Sequence, residues 1–210
     1  MTTRQLTGIV CAALVLLNPS ARVMVQADTR ESVEDVRKEL LQLPYYSVFD
    51  FLAFSYDRGT VVVGGYAYAL GLKKDAERAI KRASGVDTVV DKIEELPANP
   101  IDDQIRWATY YTIYRDPFLS RYAPGGGLLW GHRHAFGGPF SAYGGPFPGM
   151  EPAGDYPIHI IVQNGRVMLL GVVDSENDKT VAGLRSREVP GTFDVDNQLV
   201  VERSDRRSSK

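Results

Sequence analysis

The same motif occurs twice in this chain at a fixed spacing. Gly59, Gly65, Ala76 and Gly85 return as Gly165, Gly171, Ala182 and Gly191, every pair 106 positions apart. The hydrophobic pattern returns with them: Gly59-Thr-Val-Val-Val-Gly-Gly65 aligns with Gly165-Arg-Val-Met-Leu-Leu-Gly171, and Val89-Val-Asp-Lys-Ile93 with Val195-Asp-Asn-Gln-Leu199. The register runs without a gap from Gly59 to Leu96. Self-similarity on this scale means two copies of one supersecondary unit, so shared positions encode fold and differing positions are where the copies can diverge in function.

Within the first copy, Val33, Val36, Leu40 and Leu43 recur at helical spacing after Ser32, and Pro44 stops the run. Tyr45 to Tyr56 is rich in aromatic and β-branched residues and predicts a strand. Asp57-Arg58-Gly59 signals a tight turn into a second strand over Thr60–Gly65. A helix over Leu72–Ala83 follows, with Ala76, Ala79, Ile80 and Ala83 on one side, where small residues allow close approach to a sheet. Gly85 reads as its C-terminal stop, and Val86–Leu96 as the last strand.

The second copy repeats the order. Ile101, Ile105 and Ala108 open a helix, and Ile158–Val162 and Val167–Val173 are strands around an Asn164-Gly165 hairpin. Asp178–Glu188 is a helix and Phe193–Val201 the final strand. Pro97-Ala-Asn-Pro100 links the copies. The predicted class is α+β: two tandem α-β-β-α-β units, residues 30–97 and 98–202, each a three-stranded mixed sheet with two helices on one face.

The N-terminus has a different character. Arg4, an apolar run from Leu6 to Leu17 and a small-residue exit at Val25-Gln26-Ala27 form the layout of an export signal over residues 1–27. The apolar run is about a dozen residues, short of the roughly 20 that a membrane-spanning helix needs. Removing residues 1–27 takes away Arg4, Arg22 and the one cysteine, and moves the formal charge from −2 to −4. Disulfides, thiolate catalysis and cysteine-ligated metals are then excluded. A mildly acidic chain is also a poor general ligand for nucleic acid, whose binding depends on neutralising phosphates.

With these residues in view, each unit resembles a BON domain. The shared features are the turn glycine, the Gly-x-Val strand ending at Gly65 or Gly171, the helix with small residues, and the ending at Gly85-Val86…Val89-Val-Asp91-Lys-Ile93 or Gly191-Thr-Phe-Asp-Val195-Asp-Asn197-Gln-Leu199. The second copy departs at Thr192, where the first has Val86, and in the long segment before its first strand. The resemblance, which extends to tandem proteins of the osmotically inducible type, implies a non-enzymatic periplasmic or secreted protein without cofactor that binds phospholipid or another envelope component.

The asymmetries between the copies supply the candidate site. Lys74, Arg78, Lys81 and Arg82 share the helix face opposite the alanines, while their equivalents are Thr180, Leu184, Arg187 and Glu188. Such a face either attracts anionic headgroups, at about 1 kcal/mol per cation near a charged surface, or simply solvates the helix. Residues 118–156 form a Gly/Pro/aromatic insertion with Trp130 and a repeated Gly-Gly-Pro-Phe at 137–140 and 144–147. It reads equally as an aromatic anchor for a membrane interface or partner and as a tolerated, solvated loop. Glycines 59, 65, 85, 165, 171 and 191 are structural.

No metal site is expected. His132 and His134 lie in the insertion and His159 on the strand after it, with no third ligand at diagnostic spacing. Nucleophile-elbow, phosphate-loop and zinc-protease motifs are missing, so no catalytic residues are assigned. The acids Asp50, Asp57, Asp87 and Asp91 read as turn and strand-edge positions. Residues 203–210 are a polar, net basic tail. Two partners fit: anionic phospholipid, contacted peripherally, or an envelope protein docking on an open sheet edge.

Overall fold

Residues Pro19–Leu41 form α1, which extends well upstream of the helical spacing that begins after Ser32. The computed structural model describes residues 19–123 and 156–202, with side chains from residue 29 onward. The rest of the first unit is β1 (Phe51–Asp57), β2 (Thr60–Ala67), α2 (Leu72–Ile80) and β3 (Thr88–Glu95). The second unit is α3 (Pro100–Tyr114), a 3-10 turn at Ser120–Tyr122, β4 (Ile158–Gln163), β5 (Arg166–Val173), α4 (Glu176–Arg187), β6 (Asp194–Asn197) and β7 (Val200–Val201).

Both sheets are mixed, as the repeat predicts. β1 runs antiparallel to β2, which runs parallel to β3. In the second sheet β4 is antiparallel to β5, and β6 and β7 are both parallel to β5. Equivalent pairs keep the 106-residue offset, with Phe54 opposite Val63 and Ile160 opposite Leu169. Gly65 and Gly171 show why this register needs glycine. Their φ values are 126° and 125°, and a Cβ at either would run into the carbonyl oxygen of Phe51 or Pro157 on the neighbouring strand.

Besides α1, three elements differ from the pattern-based expectation. The first strand starts at Phe51, because Tyr45 has φ 68° and residues 47–50 form a turn closed by Asp50 N–H to the Ser47 carbonyl at 3.2 Å. Helix α2 ends at Ile80, where Arg82 and Ala83 bond three residues back and tighten the chain into a turn before Gly85. The final strand is split in two: the Asn197 side chain accepts from the Leu199 amide and donates to the Lys179 carbonyl, while Leu199 plunges into the core.

In the first unit, Val61, Val63 and Ile93 on the sheet meet Val36 and Leu40 of α1 and Ala76, Ala79 and Ile80 of α2. In the second, Ile158, Ile160, Val167 and Leu169 meet Ile105, Trp107 and Ile113 of α3 and Ala182 of α4. The opposite, helix-free faces of the sheets touch each other: Phe51, Tyr66 and Leu96 pack on Ile161, Met168 and Leu170.

The stretch between α1 and β1 ties the units further. Val48 and Phe49 are fully buried, and both belong to the core of the second unit. Phe49 meets Trp107 and Tyr110 edge to face at 5.1 and 6.2 Å. Asp50, read from sequence as a turn or edge position, is fully buried. It accepts from the amide and hydroxyl of Ser47 and, at 2.6 and 3.0 Å, from the amides of Tyr68 and Ala69. Beside it, the buried Arg106 guanidinium lies 4.4 Å from the centre of the Tyr68 ring and donates to the Val162 carbonyl at 2.6 Å.

Candidate functional site

Helix α2 builds the basic face that the sequence singled out. Leu72, Ala76, Ala79 and Ile80 are buried, which turns Lys74 and Arg78 to the solvent side. Lys81 and Arg82 continue that exposed surface in the turn after the helix. Lys73 is excluded from it, because its Nζ reaches the Ile93 carbonyl at 2.7 Å and lies 3.7 Å from Asp91. Leu70, just ahead of the helix, is completely exposed at 102%.

The acids that answer these cations were not among the sequence candidates. Arg78 pairs with Asp75, and Lys81 with Glu77 at 2.6 Å. Arg82 forks onto Glu39 of α1 at 2.9 and 3.2 Å. The Lys81 ammonium holds the Glu77 carboxyl below its usual range, by hydrogen bond first and by charge second. For Lys74 no ion pair occurs among the described residues. The two intrahelical pairs follow i,i+3 and i,i+4 spacing and could have been found in the sequence; Glu39 could not, because it comes from another helix.

Charge bookkeeping still favours an anion. The exposed surface carries four cations, Lys74, Arg78, Lys81 and Arg82, against Asp75, Glu77 and Glu39 of α1. Exposed ion pairs contribute about 0–1 kcal/mol each, so a phosphate can replace a carboxylate at these side chains at small cost. The equivalent surface of the second unit has a different chemistry: Thr180, Leu184, Arg187 and Glu188 are all exposed, with Leu184 at 53%.

The remaining sequence candidates separate. Trp130, His132 and His134 lie outside the described residues, as does the 203–210 tail. Both ends of the 118–156 stretch prove to be core: Leu119, Tyr122 and Ala123 at its start and Tyr156 at its close are buried. His159 is not a surface ligand; it is buried where the sheets meet, 5.6 Å from the Tyr46 ring and 5.5 Å from Phe51. Among the described residues there is no metal-binding cluster of histidines and acids.

A second polar cluster, at the start of α4, escaped the sequence reading. Asp178 accepts from Ser175 Oγ at 2.6 Å, Tyr122 Oη at 2.9 Å and Arg121 Nη2 at 2.5 Å. Burial pushes this carboxyl up, but the three donors outweigh it and hold the group below its ordinary value. Ser175-x-x-Asp178 has the spacing of a helix-capping box, which was the available signal. The cluster pins the beginning of the insertion to α4 and is structural.

Comparison with known proteins places the second unit. The family described as the BON domain matches residues 153–203, the stretch that holds β4 to β7. The likeness of the first unit to it rests on the 106-residue register and the shared strand pairing. No curated protein matches the chain. Among solved structures, the C-terminal domain of CdsD, the structural protein of the Type III secretion system of Chlamydia trachomatis, matches at 14% identity over 81% of this chain and 96% of that one, with a TM-score of 0.25. A second structure of CdsD matches at 14% identity over 81% and 91%, with a TM-score of 0.24. Likenesses this distant transfer neither architecture nor role. Among the described residues no helix is long and apolar enough to cross a membrane.

Proposed function

We propose, taking the BON-family match of the second unit as premise, that this chain is a non-catalytic envelope protein that binds anionic phospholipid peripherally through the first unit. Lys74, Arg78, Lys81 and Arg82 are the contact residues, and the exposed Leu70 stands beside them as an apolar contact. The observation that carries this reading is the excess of exposed cations on α2 and its following turn, with no counterpart on α4. Each cation near a charged bilayer contributes about 1 kcal/mol, so the four together suffice for reversible association. Trp130 adds an interfacial aromatic from the insertion. Export to the periplasm or beyond fits the N-terminal layout and brings the protein to such a surface.

The test is co-sedimentation of the full chain with vesicles of phosphatidylcholine alone or mixed with phosphatidylglycerol, at low and high salt. Binding is expected only with the anionic vesicles and is expected to fade as salt rises. Lys74→Glu, Arg78→Glu and Arg82→Glu combined should abolish it. Unchanged sedimentation of that triple variant would overturn the reading.

A further inference from the structure

The two units contain the same groove, between the first helix and the first strand, and only one of them is filled. In the second unit the groove lies between α3 and β4, and the segment Val48-Phe49 occupies it. The amide of Ile160 on β4 donates to the Val48 carbonyl at 2.8 Å, and Phe49 is walled by Trp107 and Tyr110 of α3. Both occupying residues are fully buried. The occupant is therefore the 47–50 turn, which adds a backbone hydrogen bond at the strand edge and two apolar side chains over the helix.

In the first unit the corresponding groove lies between α1 and β1. Its volume is about 440 Å³, and Val33, Arg37, Leu40 and Leu41 of α1 face Leu52 and Phe54 of β1 across it. Phe54 is the 106-residue counterpart of Ile160, the residue whose amide is taken in the second unit. β1 has a strand neighbour on one side only. The Leu52 amide turns away from β2 toward the Tyr46 hydroxyl at 3.4 Å, and strand alternation turns the Phe54 amide the same way. Residues 51–56 of β1 carry no charge and no proline, whereas β3, the opposite edge, carries Asp91, Lys92, Glu94 and Glu95. Charge and proline are the usual protection of an edge, and residues 51–56 have neither. Leu41, on the rim, is half exposed.

We infer that the α1/β1 groove is a docking site for a turn segment of another protein, in which a β-branched residue is followed by an aromatic one. The molecule itself supplies the template, since Ser47-Val48-Phe49 fills the matching groove of its own second unit. The docked segment pairs its backbone with the Phe54 edge of β1 and places its two apolar side chains against α1. The site is separate from the basic surface of α2, and its floor is apolar, with Glu34 and Arg37 exposed at its wall.

The experiment is fluorescence anisotropy of a labelled peptide copying residues 45–51, titrated with the full chain. Saturable binding that is unchanged between low and high salt is expected. Leu41→Arg, a change at an exposed rim position, should weaken it at least tenfold, and so should Asp in place of both the Val and the Phe of the peptide. The Lys74→Glu, Arg78→Glu, Arg82→Glu protein should bind the peptide normally, which keeps this site distinct from lipid binding. Absence of saturable binding, or equal binding by Leu41→Arg protein, would overturn the proposal. Sedimentation velocity supplies the remaining arm: a dimer that the peptide dissociates and Leu41→Arg abolishes would replace the proposed partner with a second copy of this chain.

Discussion

The first helices of the two units, α1 and α3, stand over equivalent strands, yet one core is closed from within its own unit and the other is not. In the first unit Val36, Leu40 and Leu43 complete the packing over β1 and β2. In the second, α3 brings Trp107, Ile113 and Tyr114, and the space beside them is closed by Phe49 from the other unit. A duplicated fold thus became asymmetric by borrowing: the connection before β1 serves the second core, while its counterpart before β4 holds the long insertion. The lesson is that equivalence of backbone does not make two units equally independent.

The largest expected effect bears on that borrowing. Phe49→Ala should cost about 3–5 kcal/mol, the usual range for removing a buried ring, in chemical denaturation followed by tryptophan fluorescence. A loss below about 1 kcal/mol would break the comparison, because the second core would then be self-sufficient. Asp50→Ala comes next. It leaves the amides of Tyr68 and Ala69 without their carboxylate acceptor, and unsatisfied buried donors of this kind cost about 1–3 kcal/mol.

Acid separates the units more gently. Burial, the largest influence, pushes the Asp50 carboxyl above its ordinary range despite hydrogen bonds from Ser47, Ala69 and Tyr68, whereas Asp178 is held below it. For Asp178 the folded state binds its proton less readily than the unfolded one, so its stabilisation is present at neutral pH and is lost as pH falls through the depressed value. For Asp50 the sign is reversed: protonation favours the folded state, and that contribution disappears as pH rises through the raised value. Carboxyl chemical shifts followed from neutral to acid pH should show Asp50 taking up its proton first and Asp178 last. The opposite order would refute the assignment of the two environments.

The smallest effect concerns the surface. Lys74→Glu, Arg78→Glu and Arg82→Glu should each change stability by no more than about 0.5 kcal/mol, since Lys74 is exposed and the ion pairs of Arg78 and Arg82 lie at the surface. A larger loss would make the Arg82–Glu39 pair a structural clamp between α1 and α2.

Much of this was legible along the chain. Gly65 and Gly171 stood out as structural positions, Asp57-Arg58-Gly59 and Asn164-Gly165 marked hairpins, and the alanine spacing of α2 marked its buried side. The exposed setting of Lys74 and Arg78 followed from the same periodicity. The start of β1 was misread because Tyr45 to Asp50 has strand-like composition, while its conformation is set by the left-handed Tyr45 and the buried Asp50 carboxylate. The salt bridge from Glu39 was illegible because its partner lies on a different helix.

Local rules, then, determined the repeated strand–turn–strand plan, the close-packed helix and the basic surface, because those depend on φ preferences and on periodicity within one element. Only the tertiary structure decided that Val48 and Phe49 leave the first unit for the second, that the helix-free sheet faces meet through Phe51 and Ile161, and that the α1/β1 groove stays open. The physical reason is that apolar residues specify burial but not the surface that buries them. Phe49 has the same hydrophobic demand in either core, and the space beside Trp107 and Tyr110 is what satisfies it.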